Sequence, residues 1–264
     1  MSVDIRPATL AGRTALVTGG SRGVGAGVAR ELAHLGADVA ITYNRRPEDA
    51  EDVLTAVRRT GVRAMALQLD VADTDSAAGA VEQIAETLGV VDLFVSNAGI
   101  ASTGRSIART SLEEFGRLMA VHAWGPIALI QHLLPGMRAL DRSDIVMVSS
   151  AVTATHPPAT GPYVIAKQAM ESACKVLALE EREHGVHVNI VAPGLVATDM
   201  GRRLVGAGGE SSDFDSTAAT SPFGRVCTPA DVGAVVGFLT GSAAEYLTGV
   251  RLAVDGGGAT ASIY

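Results

Sequence analysis

The chain has 264 residues, a length at which an α/β fold commonly forms one unit. Hydrophobic residues make up 47% and charged residues 19%, which supplies a large core and excludes a disordered chain. A net charge of −7 argues against binding along nucleic acid or an anionic membrane. The N-terminal MSVDIRPATLAG lacks an apolar stretch of signal-peptide length, and no apolar run is long enough to span a bilayer. Cys174 and Cys227 show neither CxxC nor metal spacing, so the expected compartment is the reduced cytoplasm. No His/Asp/Glu spacing suggests a catalytic metal.

Short β-branched runs alternate with amphipathic stretches in chain order. Thr14–Val17 reads as a strand and Val24–Leu35 as a helix with Val28, Leu32 and Leu35 on one face. Val39–Thr42 is the next strand, and Pro47 opens a helix over Glu48–Arg59. A strand Arg63–Leu69, a helix Asp75–Leu88 and a strand Val91–Ser96 follow. One long helical region is expected over Leu112–Ala139, then strand Asp144–Ser149, helix Tyr163–His184 and strand His187–Val191. A helix Ala230–Leu239 and a strand Arg251–Val254 complete the pattern. Strands apolar on both faces belong in a parallel sheet with helices on both sides. The expectation is a single doubly wound, Rossmann-like domain over 1–264, with a seven-stranded parallel sheet. Gly201–Ser221, rich in Gly, Ser, Ala and Asp, is expected to be an irregular, mobile substrate lid.

The first strand runs into Thr18-Gly19-Gly20-Ser21-Arg22-Gly23-Val24-Gly25, after which a helix begins. A phosphate requires close backbone approach and a helix N-terminus aimed at it, so glycines belong where a side chain would intrude. The spacing Gly19, Gly23, Gly25 departs from the common Gly-x-Gly-x-x-Gly fingerprint.

These residues resemble the short-chain dehydrogenase/reductase family, and the resemblance runs over essentially the whole chain. Thr18–Gly25 is similar to that family's TGxxxGxG turn, Asp70-Val71 to its adenine-contacting pair and Asn97-Ala98-Gly99 to its NAG motif. Ser150, Tyr163 and Lys167 resemble its catalytic set, and Pro193-Gly194 with Thr198 its nicotinamide-side loop. The resemblance implies cofactor contacts at Gly19, Ser21, Arg22, Gly23, Val24, Asn44, Arg45, Asp70, Val71, Asn97, Ala98 and Gly99. It extends them to Tyr163, Lys167, Pro193, Gly194, Val196 and Thr198.

An NAD site usually carries an acid near the end of the second strand, where it takes the ribose hydroxyls. Here that strand ends Thr42-Tyr43-Asn44-Arg45-Arg46, with no acid before Glu48. Arg22 and Arg45 can instead grip a 2′-phosphate, each charge-assisted hydrogen bond contributing ~1.5–3 kcal/mol. NADP(H) is the expected cofactor.

Tyr163 and Lys167 stand four apart at a helix start, so both side chains share one face. A free phenol, with pKa ≈ 10, exchanges protons poorly near neutrality, and a nearby ammonium favours its ionised form. By resemblance, Tyr163 is the general acid/base, and Lys167 lowers its pKa while holding the nicotinamide ribose. Ser150, rather than the adjacent Ser149, donates a hydrogen bond to the carbonyl oxygen. The family commonly has asparagine in the helix after strand four, holding a water relay toward the lysine; here His122 stands at that place. Histidine there is a relay candidate that titrates near neutral pH, or a polar replacement with no special role. His156 is expected to line the substrate entrance, and Asp255-Gly256-Gly257 to form a turn close to a subunit contact.

The activity implied is NADPH-dependent reduction of a small-molecule ketone, reversible to alcohol oxidation, by a homotetramer. Resemblance is nearest to 3-oxoacyl-carrier-protein reductases. The arginines that dock the acidic carrier correspond here to Asp141 and His184, although Arg138 and Arg142 offer compensation. A non-catalytic NADP(H) sensor or partner subunit is the reading from another class. It needs the glycine turn but not Ser150, Tyr163 and Lys167 together.

Overall fold

The computed structural model describes residues 9–206 and 214–258. Its strands are β1 (Thr14–Val17), β2 (Asp38–Tyr43), β3 (Ala64–Gln68), β4 (Leu93–Ser96), β5 (Ser143–Val148), β6 (Val186–Pro193) and β7 (Arg251–Val254). They form one parallel sheet in the order β3-β2-β1-β4-β5-β6-β7. The helices are α1 (Gly23–His34), α2 (Pro47–Arg58), α3 (Ala77–Leu88), α4 (Leu112–Met119), α5 (Gly125–Met137) and α6 (Val152–Thr155). They continue with α7 (Gly161–Glu181), α8 (Asp199–Gly206), α9 (Phe214–Thr220) and α10 (Pro229–Thr240).

Alternation along the central strands divides the core in two. Leu16 and Phe94 point to one face, where they meet α3, α5 and α7 through Ile84, Leu133 and Met170. Val17, Leu93 and Val95 point to the other, against Val28 and Leu32 of α1, Val53 of α2 and Val236 of α10. Such two-sided burial is why β1, β4 and β5 read as continuous apolar runs. β1 pairs with β2 on one side and β4 on the other, so the connections reverse direction there. A parallel sheet opens a crevice at such a switch point, at the carboxyl ends of its strands. The opposite ends of β1, β4 and β5 are tied by Arg13, whose guanidinium reaches Asp92 and Asp144 at 2.8 Å each. Arg142 adds a second contact to Asp144 at 3.0 Å.

The expected single helix over 112–139 is instead α4 and α5 joined by a π-helical turn at Ala120–Trp124. Pro126 explains the break: it has no N–H for the His122 carbonyl four residues back, and its ring crowds that carbonyl. Gly125 must also lie against the sheet-side loop, since a Cβ there would fall 1.9 Å from the Val71 carbonyl oxygen. The turn swings His122 inward, to 1% exposure.

Gly201–Ser221, expected to be irregular, contains most of α8 and all of α9, so its ends are helical. The centre of the expected lid, 207–213, lies outside the described residues. Among the described residues no helix is long and apolar enough to cross a membrane.

Candidate active site

The carboxyl ends of the strands open into a cleft of about 1910 Å³. That exceeds the roughly 300–1,000 Å³ of a pocket for one small ligand, leaving room for a dinucleotide and a substrate together. The expected catalytic and cofactor-contact residues all lie on its wall; His156, expected at the substrate entrance, does not.

The glycine turn sits between β1 and α1. Gly19 adopts φ +62°, and its amide donates to Thr42 Oγ1 at 3.1 Å. A Cβ at Gly25 would fall 2.3 Å from the Gly19 carbonyl oxygen and 2.5 Å from Asn97 Nδ2, so this helix start accepts no side chain. The first turn of α1 has no acidic residue and no side-chain cap at Arg22, which leaves its amides to a ligand. Ser21, Gly23 and Val24 line the cleft beside it, and Thr198 packs near Gly23, 3.3 Å from where its Cβ would be.

Asn97 acts as a strut. Its Nδ2 donates to the carbonyls of Thr18 at 2.9 Å and Gly19 at 3.1 Å, locking the end of β4 to the turn. Thr18 Oγ1 accepts from the amides of Asn97 and Ala98 at 3.0 and 3.1 Å. Asp70 Oδ1 accepts from the Ala72 amide at 3.0 Å and holds Val71 at the cleft edge. On the other wall Gly194 donates to Val254 at 3.0 Å, and Val196 bridges to Cys227, which fixes the loop following Pro193. Burial pushes the Cys227 thiol up to about 11, so it supplies no thiolate near neutral pH.

Beyond β2, Asn44, Arg45 and Arg46 border the cleft, as does Arg22 from the turn. Arg46 has Asp49 at 3.6 Å, whereas Arg22 and Arg45 appear in no ion pair among the described residues. This donor set fits the phosphates of a dinucleotide: an open helix start, a glycine-rich turn and guanidiniums at the cleft edge.

At the other end of the cleft the proton-transfer candidates converge. Tyr163 and Lys167 occupy the first two turns of α7, with Lys167 Nζ 5.8 Å from the Tyr163 ring centroid. Lys167 is 4% exposed and donates to the Val148 carbonyl at 2.6 Å. Burial pushes its pKa down to about 8, against an upward pull from Glu171. Ser149 and Ser150 follow β5 and both border the cleft, but the Ser149 hydroxyl donates to Glu171. The Ser149 hydroxyl is committed to a carboxylate, whereas the Ser150 hydroxyl accepts from the Val152 amide at 3.5 Å.

His122 stands edge-on to Tyr163, with ring centroids 5.2 Å apart and planes at 83°. Its Nε2 bonds the Ile100 carbonyl at 2.9 Å, and Nδ1 has no hydrogen-bond partner. Burial first, then the Lys167 charge, pushes its pKa down to about 3. Titration near neutrality, expected from an ordinary imidazole, is thereby corrected: His122 is uncharged at physiological pH. Gly99 is kept small by this ring, since its Cβ would meet His122 Cε1 at 2.8 Å.

His156 is not on the cleft wall, contrary to expectation. It adopts φ 51°, is exposed, and its Nε2 pairs with Gln168 at 2.8 Å, while Thr155 and Pro157 face the cleft. Arg138 and Arg142 are each committed to an acid, Glu181 at 2.5 Å and Asp144 at 3.0 Å. No local motif marks Thr42, Glu171 and Arg251, which the structure adds to the site.

A dinucleotide-binding crevice at the switch point, with Ser, Tyr and Lys at one end, defines a nicotinamide-linked oxidoreductase class. A family profile described as Enoyl-(Acyl carrier protein) reductase matches residues 19–259. Versicolorin reductase 1 of Dothistroma septosporum is 35% identical over 266 residues, covering 97% of this chain and 99% of that protein. Among solved structures, a short-chain dehydrogenase from Burkholderia cenocepacia in complex with NADP superposes with TM-score 0.83 at 34% identity, covering 94% of this chain and 98% of that one. Carveol dehydrogenase from Mycobacterium avium in complex with NAD gives TM-score 0.87 at 27% identity, covering 95% and 98%. The chain belongs to the short-chain dehydrogenase/reductase family.

Proposed function

We propose that this oxidoreductase reduces a small, untethered ketone to a secondary alcohol with NADPH, reversibly. The single observation carrying this reading is that Ser150, Tyr163 and Lys167 share one cleft with the open glycine turn. When bound, the nicotinamide cofactor supplies the hydride that reduces the carbonyl carbon. Tyr163 gives its phenolic proton to the carbonyl oxygen, so the C=O bond becomes CH–OH. The Lys167 ammonium, held by Val148, favours the phenolate left behind. The Ser150 hydroxyl donates a hydrogen bond to the same oxygen as negative charge develops on it. Uncharged His122 holds the Ile100 main chain and offers Nδ1 as an acceptor for a relay; it carries no charge through the reaction.

Arg22 and Arg45 favour NADP(H), and the NADP complex of the Burkholderia relative supports this preference. The remaining named site residues, from Gly19 to Thr198, form the cofactor contacts. Arg138 and Arg142 are both paired to acids and Asp141 and His184 stand at the docking positions, which favours a free ketone over a carrier-bound thioester. The versicolorin reductase relative supports reduction as the working direction. α8 and α9 contribute Met200, Arg203, Leu204 and Thr217 to the cleft wall, which supports the described parts of 201–221 as a cover over the substrate. The enzyme acts as a cytoplasmic homotetramer. Exposed Ile165, Val176 and Leu179 on α7, together with Trp124, support burial between subunits, and two free cysteines support a reducing compartment.

The test is NADPH oxidation by the wild-type protein over a broad panel of ketones. Turnover of at least one is expected. Tight NADPH binding with none reduced overturns the reading and favours a sensor.

A further inference from the structure

Behind Ser150 lies a buried polar cluster that the reaction above does not use. Glu171 stands on α7 one helical turn beyond Lys167 and is 7% exposed. Its Oε1 accepts from Ser149 Oγ, from Thr153 Oγ1 at 2.8 Å and from Arg251 Nε at 3.2 Å. Arg251, on β7, has a second arm: Nη2 donates to the Ser150 carbonyl at 3.0 Å and to Thr153 Oγ1 at 2.9 Å. The single Thr153 hydroxyl proton is shared between Glu171 Oε1 and the Ser150 carbonyl, each 2.8 Å from Oγ1.

Burying an ion pair rarely stabilises a fold more than apolar packing of similar volume would. Here the pair does something apolar packing does not. The neighbours of Ser150 are held through their amides by β6, Ser149 to Val191 and Ala151 to Pro193, both at 2.7 Å. The Ser150 carbonyl faces the other way, and Arg251 and Thr153 hold it. The peptide unit between Ser150 and Ala151 is thus held at both its carbonyl and its amide, which restrains the main chain from which the Ser150 hydroxyl is aimed. The charged groups around the cluster are Lys167 and Glu171 from α7 and Arg251 from β7; the Glu171 carboxylate also draws the Lys167 pKa upward.

We propose that Glu171 and Arg251 are positioning residues for the reaction, their ion pair clamping the Ser150 main chain so that its hydroxyl meets the substrate oxygen. The inference rests on the ketoreductase reading, and the experiment separates the two. Steady-state kcat, KM and the NADPH dissociation constant are measured for wild type, Arg251→Met, Arg251→Lys and Glu171→Gln. Each is measured alone and combined with Ser150→Ala. Arg251→Met is expected to lower kcat by about tenfold or more with NADPH affinity within about twofold of wild type. In the Ser150→Ala background the same change is expected to cost less than about twofold, because residues acting through one hydroxyl are non-additive. Arg251→Lys, which keeps the charge toward Glu171, recovers part of kcat. Equal factors in both backgrounds, or a fall in NADPH affinity matching the fall in kcat, overturn the proposal. Should Arg251→Met fail to bind NADPH through misfolding, Glu171→Gln carries the same cycle, since it keeps side-chain volume and an acceptor. A wild type that reduces no ketone overturns both readings; a wild type that turns over beside variants with unchanged kcat overturns this one alone.

Discussion

Replacing His122 with asparagine is expected to make the fold markedly less sensitive to acid. The imidazole is 1% exposed, and burial, ahead of the Lys167 charge, pushes its pKa from 6.5 to about 3. In the unfolded chain the same group takes a proton near pH 6.5. Between those values the unfolded state binds more protons than the folded one. Stability therefore rises with pH across that window and is lost as pH falls from 6.5 toward 3. Each pH unit inside the window is worth ~1.36 kcal/mol, so a descent from pH 7.5 to 4.5, which crosses about two such units, costs roughly 2.7 kcal/mol through His122 alone. Asparagine does not titrate and can still hydrogen-bond the Ile100 main chain. Urea unfolding of both proteins at the two pH values, at one protein concentration, gives the comparison, in which other titrating groups cancel. Wild type is expected to lose about 2–3 kcal/mol more than the variant. Equal losses would refute the reasoning, because they would mean that the imidazole accepts a proton inside the fold.

Two other outcomes test the cofactor end of the cleft. Gly25→Ala brings a methyl within 2.3 Å of the Gly19 carbonyl oxygen, and the turn must open to admit it. NADPH affinity is expected to fall more than about tenfold by fluorescence titration, since the loss of even one charge-assisted phosphate contact is worth that much; an unchanged constant would show that the turn tolerates a side chain. Arg45→Ala is expected to weaken NADPH about tenfold more than NADH, the loss of one charge-assisted hydrogen bond. Equal losses for the two cofactors would remove the 2′-phosphate from its role.

The sheet was legible because its inner strands are buried on both faces: Thr14–Val17 is β1 residue for residue, Arg251–Val254 is β7, and the strands between shift only at their ends. What the residue pattern concealed was mostly conformational. The helix over 112–139 looked continuous because its apolar spacing persists across the π turn, although Pro126 marks the break. His156 left the cleft wall because its residue adopts the left-handed region before Pro157, a conformation its neighbours do not announce. The Gly201–Ser221 segment looked irregular from its small polar residues, yet Met200, Arg202, Arg203 and Leu204 are good helix formers and carry α8. At the site, motif order identified the residues that face the cleft. Their supports escaped notice because they meet only across the sheet: Thr42 is 23 residues from Gly19, and Arg251 is 80 from Glu171.

The central claim is that Tyr163 protonates the oxygen of a ketone whose carbon takes hydride from NADPH in the same cleft. Following deuterium from NADPH labelled at nicotinamide C4 into the product, for wild type and Tyr163→Phe, tests it most directly. The account predicts label on the carbinol carbon for wild type. For Tyr163→Phe it predicts a rate reduced by the roughly 10²–10⁴-fold that a positioned general acid supplies, with NADPH still bound. Label transfer at the wild-type rate by Tyr163→Phe, or wild-type product without label, would contradict it.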